Sequence, residues 1–377
     1  MAIVTLLGLV GIVLILQRHP ATHRLFKWLP TPLWCYALPM MATTLGWLPR
    51  HHPSYPLLTT LVLPFALGLL LLGVDVPAIA RVGWRAVAAT LLGSVSIVLG
   101  APLMGWLLRA HLPAGAWTGV GTLAATWTGG SMNLLAVRTI VGTPEAIFTV
   151  LIIVDALIAY SWMIVLMAAS GLQQPLDRWL RAAQATSSES LPLAGPPSRM
   201  WPAPPAAIIV AIGLTTSAIL VGRMLPTTQM ISSASGWVVL LVTTFALGAS
   251  FIAPIRRLGP AATSVGMPCL YLVLAGMGAQ ASLLALWAAP IWVAFGVGVA
   301  MFHGVVMLLG GWLLRIPLGV LATASQANLG GVASTPIVGA VYRQELAAVG
   351  LLLAVGLNGI GTYLGLCSAW LARLLLR

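Results

Sequence analysis

Charge is what this sequence has least of. Of 377 residues only 6% are Asp, Glu, Lys or Arg, against about 25% in a soluble globular domain. Acids are the scarcest, six in all. With 60% hydrophobic residues and a mean hydropathy of +1.02, a water-soluble fold is excluded. Short alternating segments, the mark of a transmembrane β-barrel, are also lacking; the apolar stretches instead approach the ~20 residues that carry a helix across a bilayer. Cysteine is rare, and Cys35, Cys269 and Cys367 lie singly in apolar surroundings without metal-ligand spacing. They read as small buried hydrophobes. No basic run is interleaved with aromatics, so the net charge of +12 does not point to nucleic acid. The Arg residues are scattered through the connections, where they meet anionic headgroups and orient the protein. No basic stretch precedes the apolar residues 1–17; Arg18, Arg24 and Lys27 follow them. That order reads as a retained first helix, not a secretory signal.

What is present is a series of twelve hydrophobic spans. They lie near 1–17, 29–48, 54–74, 83–108, 114–137 and 143–170, then near 204–224, 234–253, 264–283, 285–313, 316–340 and 345–373. Residues 171–203, polar and rich in Pro and Ser, read as a linker between an N-terminal repeat, 1–170, and a C-terminal repeat, 204–377. Within the linker, Leu176 to Ala185 reads as a short surface helix. Trp28, Trp34, Trp47 and Trp117 flank spans and serve as interfacial anchors.

Two stretches break the apolar pattern. One is Thr126-Trp127-Thr128-Gly129-Gly130-Ser131-Met132-Asn133; the other is Ser325-Gln326-Ala327-Asn328-Leu329-Gly330-Gly331. Unwound backbone within a membrane is tolerated only where protein or a water-filled cavity satisfies it. Breaks at corresponding positions of two halves point to a transporter's binding site. Other landmarks recur in the same order. Asp75 precedes Gly129 much as Gln280 precedes Gly330, and Asp155 and Asn358 are each followed five residues later by Tyr160 and Tyr363. These correspondences support an internal repeat. Counted as spans, the two breaks are separated by an even number, which makes the halves parallel; inversion requires that one span be miscounted or re-entrant.

Candidate ligands follow from chemistry. Thr126, Thr128, Ser131, Asn133, Ser325, Gln326 and Asn328 offer oxygens, and Gly129, Gly130, Gly330 and Gly331 expose backbone. Together they form the expected substrate site, where half-helix N-termini welcome a carboxylate. Asp155 sits in the middle of an apolar run, where an ionisable group costs on the order of 3 kcal/mol. With Asn133, Asn328 and Asn358 it makes the expected site for Na⁺ or a proton. Asp75, Arg138 and His303 are further intramembrane or interfacial candidates. For Arg138 and His303 a structural role outweighs a functional one. Glu145, after Thr143-Pro144, reads as a helix start.

The Thr-Trp-x-Gly-Gly-x-x-Asn stretch, the mid-span Asp155 and the Ser-x-Ala-Asn-x-Gly-Gly stretch resemble an uncharacterised multi-pass membrane family, domain of unknown function eight-one-nine, from about Leu63 to Leu366. That family is grouped with the cation:proton antiporter and bile-acid:sodium symporter superfamily. The resemblance implies an all-α polytopic membrane protein of roughly 11–13 transmembrane helices. It also implies an inverted repeat, two unwound crossed helices, a core built from 83–170 and 285–373, and a panel or dimer face from the remaining spans. A homodimer and a bacterial inner membrane are further implications. Antiporters of that superfamily often carry paired acids after the break, whereas only Asp155 is present here.

The function expected is a secondary active transporter that couples Na⁺ or H⁺ to a small, anionic organic solute, with no covalent cofactor. An intramembrane enzyme is disfavoured: His-Glu-x-x-His, Gly-x-Gly-Asp and Asp-rich pairs are all missing. A channel, the main alternative, calls for a ring of ligands from several subunits. A non-transporting scaffold has no need of polar breaks at the midplane.

Overall fold

The computed structural model describes residues 2–22, 26, 31–74, 82–182, 204–231, 233–281 and 289–376. The described residues form helices and their connections. We number the main helices α1 (Ala2–Arg18), α2 (Thr31–Thr44), α3 (Ser54–Leu72), α4 (Trp84–Leu107), α5 (Ala116–Gly129), α6 (Ser131–Val141), α7 (Glu145–Ala169) and α8 (Gln173–Trp179). They continue with α9 (Pro204–Gly222), α10 (Ala234–Ser250), α11 (Gly259–Gln280), α12 (Ala289–Leu314), α13 (Leu318–Leu329), α14 (Gly331–Tyr342) and α15 (Glu345–Leu375). Among the described residues, seven helices are long and apolar enough to cross a membrane, and several shorter apolar helices accompany them. The exposed side chains confirm the solvent: Val4, Ile209 and Leu313 are each about 70% exposed, an outer surface that suits lipid and not water. This is an integral membrane protein whose outer surface meets the bilayer.

The described chain clusters into two compact units. The first comprises 1–73, 138–156 and 202–292, the second 74–137, 157–201 and 293–377. Each draws on both halves of the chain. In the first unit α9 turns a stripe of small residues inward: Ala207, Ala211, Thr215, Ala218 and Gly222. Their spacing of three or four residues keeps them on one helical face. Small residues let helices approach closely where lipid supplies no hydrophobic drive for association. Gly68 of α3 faces this seam: a Cβ there would reach Val242, Thr215 and Ala211 within 3.9 Å.

Side-chain neighbours fix the directions of the helices in the second unit. Leu92, Gly100 and Met104 of α4 meet Gly310, Phe302 and Gly298 of α12, so these two helices run antiparallel. Gly121 and Gly129 of α5 meet Ala369 and Gly361 of α15, again antiparallel. The other break behaves differently. Gly319 of α13 lies against Leu346 and Thr323 against Gly350, so α13 runs along α15. Thr335 of α14 returns to Gly350 and Gly339 to Leu346. α13 and α14 therefore form a re-entrant hairpin that enters and leaves at the end where α15 begins. This is where the structure departs from a reading of 316–340 as one crossing span. Apolar content cannot distinguish one 25-residue span from two half-length helices folded together, because both bury the same residues.

The same end of the unit is closed by α8, which coincides in part with the surface helix expected at Leu176 to Ala185. Asp177 accepts a hydrogen bond from the backbone N–H of Leu318 at 2.7 Å, placing a carboxylate on the positive end of α13. Tyr342, at the end of α14, donates to the carbonyl of Leu166 at 2.6 Å.

The hairpin has a direct test. In a background with the three native cysteines replaced, Arg315→Cys and Gln344→Cys, both at exposed positions, are expected to react with a membrane-impermeant maleimide from the same side. Labelling from opposite sides means that 316–340 crosses the bilayer.

Candidate functional site

The two breaks meet. α5 ends at Gly129 and α6 starts at Ser131, with Gly130 between them at φ +76°. α13 ends at Leu329, and Gly331, the first residue of α14, has φ +70°. Both values lie in the left-handed region, where any residue with a Cβ is strained. A Cβ on Gly331 would stand 4.0 Å from Gly130 Cα, and one on Gly130 would stand 3.2 Å from Asn358 Oδ1. Two helix interruptions and the Asn358 amide thus share one location inside the second unit. The helices that lead to it are enclosed: residues 118–129 of α5 and 321–329 of α13 are buried without exception. A helix buried all round, with amides and hydroxyls on it, must satisfy them internally.

It largely does. Asn133 donates through Nδ2 to the carbonyls of Gly129 and Asn358, and its Oδ1 accepts from Thr362. Its amide therefore ties the start of α6 to α15. Asn328 donates to the carbonyls of Thr90 and Ala324, both at 3.1 Å, and accepts from Ser94 at 2.8 Å, which ties the end of α13 to α4. Thr128 donates to Ala124. Ser325 accepts from Trp162 Nε1 at 2.9 Å. Gln326 donates through Nε2 to Ser334 at 2.8 Å, bridging the two arms of the hairpin. Thr126 is buried and Ser131 half-buried.

His303 is enclosed by the same network. Ser96 donates to the Gly93 carbonyl at 2.6 Å and so accepts from His303 Nδ1 at 2.7 Å. The opposite ring nitrogen, Nε2, pairs with Ser325 at 2.8 Å. Because Trp162 already donates to Ser325, that hydroxyl is free to give its own proton to Nε2. The pattern fits a neutral imidazole with its proton on Nδ1, joining α4, α12, α13 and α7.

A family model described as a protein of unknown function, DUF819, matches residues 4–374. The chain belongs to this family. A curated relative, the uncharacterised membrane protein YjcL of Bacillus subtilis, is 25% identical over 351 residues, covering 86% of each chain. The match to the family spans both breaks and both units.

The remaining sequence candidates fall in different places. Asn358 joins the breaks. Asp155 lies on α7 as expected, half-buried, within the first unit. Arg138 closes α6 and forms an ion pair with Glu145 of α7, with its guanidinium 4.1 Å over the Phe148 ring. Tyr36 bonds the same carboxylate at 3.1 Å and Thr149 at 2.9 Å. Arg138 thus has a partner in its own unit, and Glu145 does more than start a helix. Asp75 lies outside the described residues. Among the described residues, no group of three or more His, Cys, Asp or Glu is placed to hold a metal ion. Sequence reasoning did not single out Thr90, Ser94, Ser96, Trp162, Ser334 or Thr362. Each is a hydroxyl or indole in a mostly apolar helix, and only its partner gives it meaning.

The Asn328 amide gives a sharp expectation. Asn328→Asp places an oxygen against two carbonyl oxygens, so it should destabilise more than Asn328→Ala, by at least ~1 kcal/mol. Thermal unfolding in detergent reads the difference; equal melting temperatures for wild type and Asn328→Asp contradict the assigned bonds.

Proposed function

We propose that this protein is a secondary active transporter that moves a small, anionic organic solute by alternating access, driven by a Na⁺ or H⁺ gradient, in a bacterial inner membrane. The observation that carries the reading is the meeting of two helix breaks at Gly130 and Gly331 in the buried interior. Ends of half-helices concentrate partial charge of both signs at one point. Such a point can take a cation and a carboxylate together, and an enzyme or a scaffold has no comparable need of it. Asp155 is the carboxylate assigned to coupling, on the cost of an ionisable group at mid-span. Asn133 and Asn328 then serve as the clamps that hold the two tips, with Asn358 beside them.

The directions of the helices support an inverted relationship. α4 and α12 occupy corresponding places in the two halves and run oppositely, as do α5 and α13. By its correspondence with α13–α14 in the repeat, α5–α6 doubles back as well. Two of the twelve apolar stretches then do not cross, which leaves an odd number of crossings in each half, the parity that inversion requires. A homodimer in which one unit anchors and the other moves completes the proposal.

Reconstitution into proteoliposomes is the test. Uptake of a small anionic solute should saturate, should require an imposed Na⁺ or H⁺ gradient, and should lose that requirement in Asp155→Asn. A cation that binds the folded state also raises the melting temperature by mass action, and Asp155→Asn should alter that rise. If no gradient drives any flux and Asp155→Asn leaves ion binding unchanged, the proposal fails. Conductance without saturable exchange favours the channel.

A further inference from the structure

The end of the second unit where the α13–α14 hairpin opens gathers arginines. α12 ends there, and α4 begins there because it runs antiparallel to α12. A Cβ on Gly319, at the start of α13, would stand 3.0 Å from Tyr342 Cβ, so the end of α14 arrives at the same place. Val82, Ala86, Leu180, Ile316, Leu318 and Tyr342 are buried in one apolar cluster. Arg85, Arg181, Arg315 and Arg343 are each next in sequence to one of these residues, and Arg178 lies on α8 itself. Among the described residues, none of these five forms an ion pair, and the Nε of Arg85 is buried without a hydrogen-bond partner. The two acids nearby do not offset them. Asp177 is engaged with the N–H of Leu318, and Glu345 pairs with none of the five. Like charges brought together in this way repel unless an anion joins them.

Two features say which anion. The first is the level at which the arginines sit. The Arg181 guanidinium lies 5.1 Å over the ring of Trp312, and that of Arg85 lies 5.5 Å over Trp84. Both indoles are exposed, as are Trp179 and Leu313. Exposed tryptophan beside exposed leucine marks the headgroup level of a bilayer. A guanidinium stacked on an indole uses its face and leaves its in-plane N–H groups for a phosphate. The second feature is backbone. Among the described residues, Arg181 (φ +51°) and Arg315 (φ +53°) are the only non-glycine residues with positive φ. They follow the ends of α8 and α12, where glycine is the unstrained choice. Arginine at both positions is strained, and a charge required at that point accounts for it.

We propose that this end of the second unit binds the phosphate headgroup of an anionic phospholipid, with Arg181 and Arg315 as its principal ligands and Arg85 and Arg343 flanking them. The acyl chains lie against the exposed Leu309 and Leu313 of α12. The lipid joins α8, the turn between α12 and α13, and the end of α14, and so holds the mouth of the hairpin closed. The proposal needs only a membrane protein with a re-entrant hairpin, and it stands whether or not the protein transports.

The experiment is thermal unfolding of the purified full chain in uncharged detergent micelles, titrated with dioleoylphosphatidylglycerol. Dioleoylphosphatidylcholine, with the same tails and no net charge, and inorganic phosphate, with charge and no tails, are run in parallel. Three proteins are compared. They are wild type, Arg181→Gly combined with Arg315→Gly, in which glycine suits both backbones, and Arg109→Gln, beyond the opposite end of α4. The melting temperature of wild type should rise and saturate with phosphatidylglycerol, and should not rise with phosphatidylcholine or phosphate. The glycine pair should raise the phosphatidylglycerol midpoint by at least about tenfold, while Arg109→Gln should stay within about threefold of wild type. Should the glycine pair fail to fold, Arg181→Gln combined with Arg315→Gln replaces it with the same expectation. An unchanged midpoint in the double variant overturns the site. So does an equal response to phosphatidylcholine, which makes the effect one of the tails alone, or to inorganic phosphate, which makes the ligand a soluble anion. An equal loss in Arg109→Gln makes the effect one of net charge and overturns it too.

Discussion

Lipid cannot hydrogen-bond to a peptide group, and the rest of this structure follows from that constraint. A helix that stops inside the membrane leaves N–H and C=O groups which only protein or trapped water can satisfy. Here two helices stop at the same place, at Gly130 and at Gly331. The second unit is arranged to receive them. Residues 118–129 of α5 and 321–329 of α13 are buried, and α15 and α4 run close enough to supply carbonyls, hydroxyls and amides at each tip.

Close approach depends on small residues. α5 and α15 touch through Gly121, Ala125, Gly129, Gly361, Gly365 and Ala369, with backbone against backbone. Larger side chains along that seam would hold the tips away from Asn358. At each tip an asparagine joins the break to a different long helix: Asn133 reaches α15 and Asn328 reaches α4. Both amides help to hold the fold at the tips. Among the described residues, the buried Gln326 Oε1 has no hydrogen-bond partner.

The polar breaks were legible because each gathers amides, hydroxyls and paired glycines into a few residues of an otherwise apolar chain. The resemblance that they carry is matched by a family model across nearly the whole chain. Asp155 was legible because a carboxylate in mid-helix has no cheap explanation. The partners of these groups were not. Ser94, Ser96 and Thr362 are hydroxyls on long apolar helices, and a serine or threonine there can satisfy itself on its own preceding turn, as Thr90 does on Ala86. Arg138 and Glu145 were each visible, but their pairing depends on how the chain turns between α6 and α7.

Composition and periodicity alone determined that this chain is an all-helical membrane protein and where its helices are interrupted. Those properties depend on local hydropathy and backbone propensity, which each segment carries with it. The course of the chain after an interruption was decided by tertiary structure. A half-length apolar helix is equally stable whether it continues across the membrane or folds back, provided that its surface is covered. Only packing against α15, with Gly319 near Leu346 and Gly339 returning to the same turn, makes α13 and α14 a hairpin.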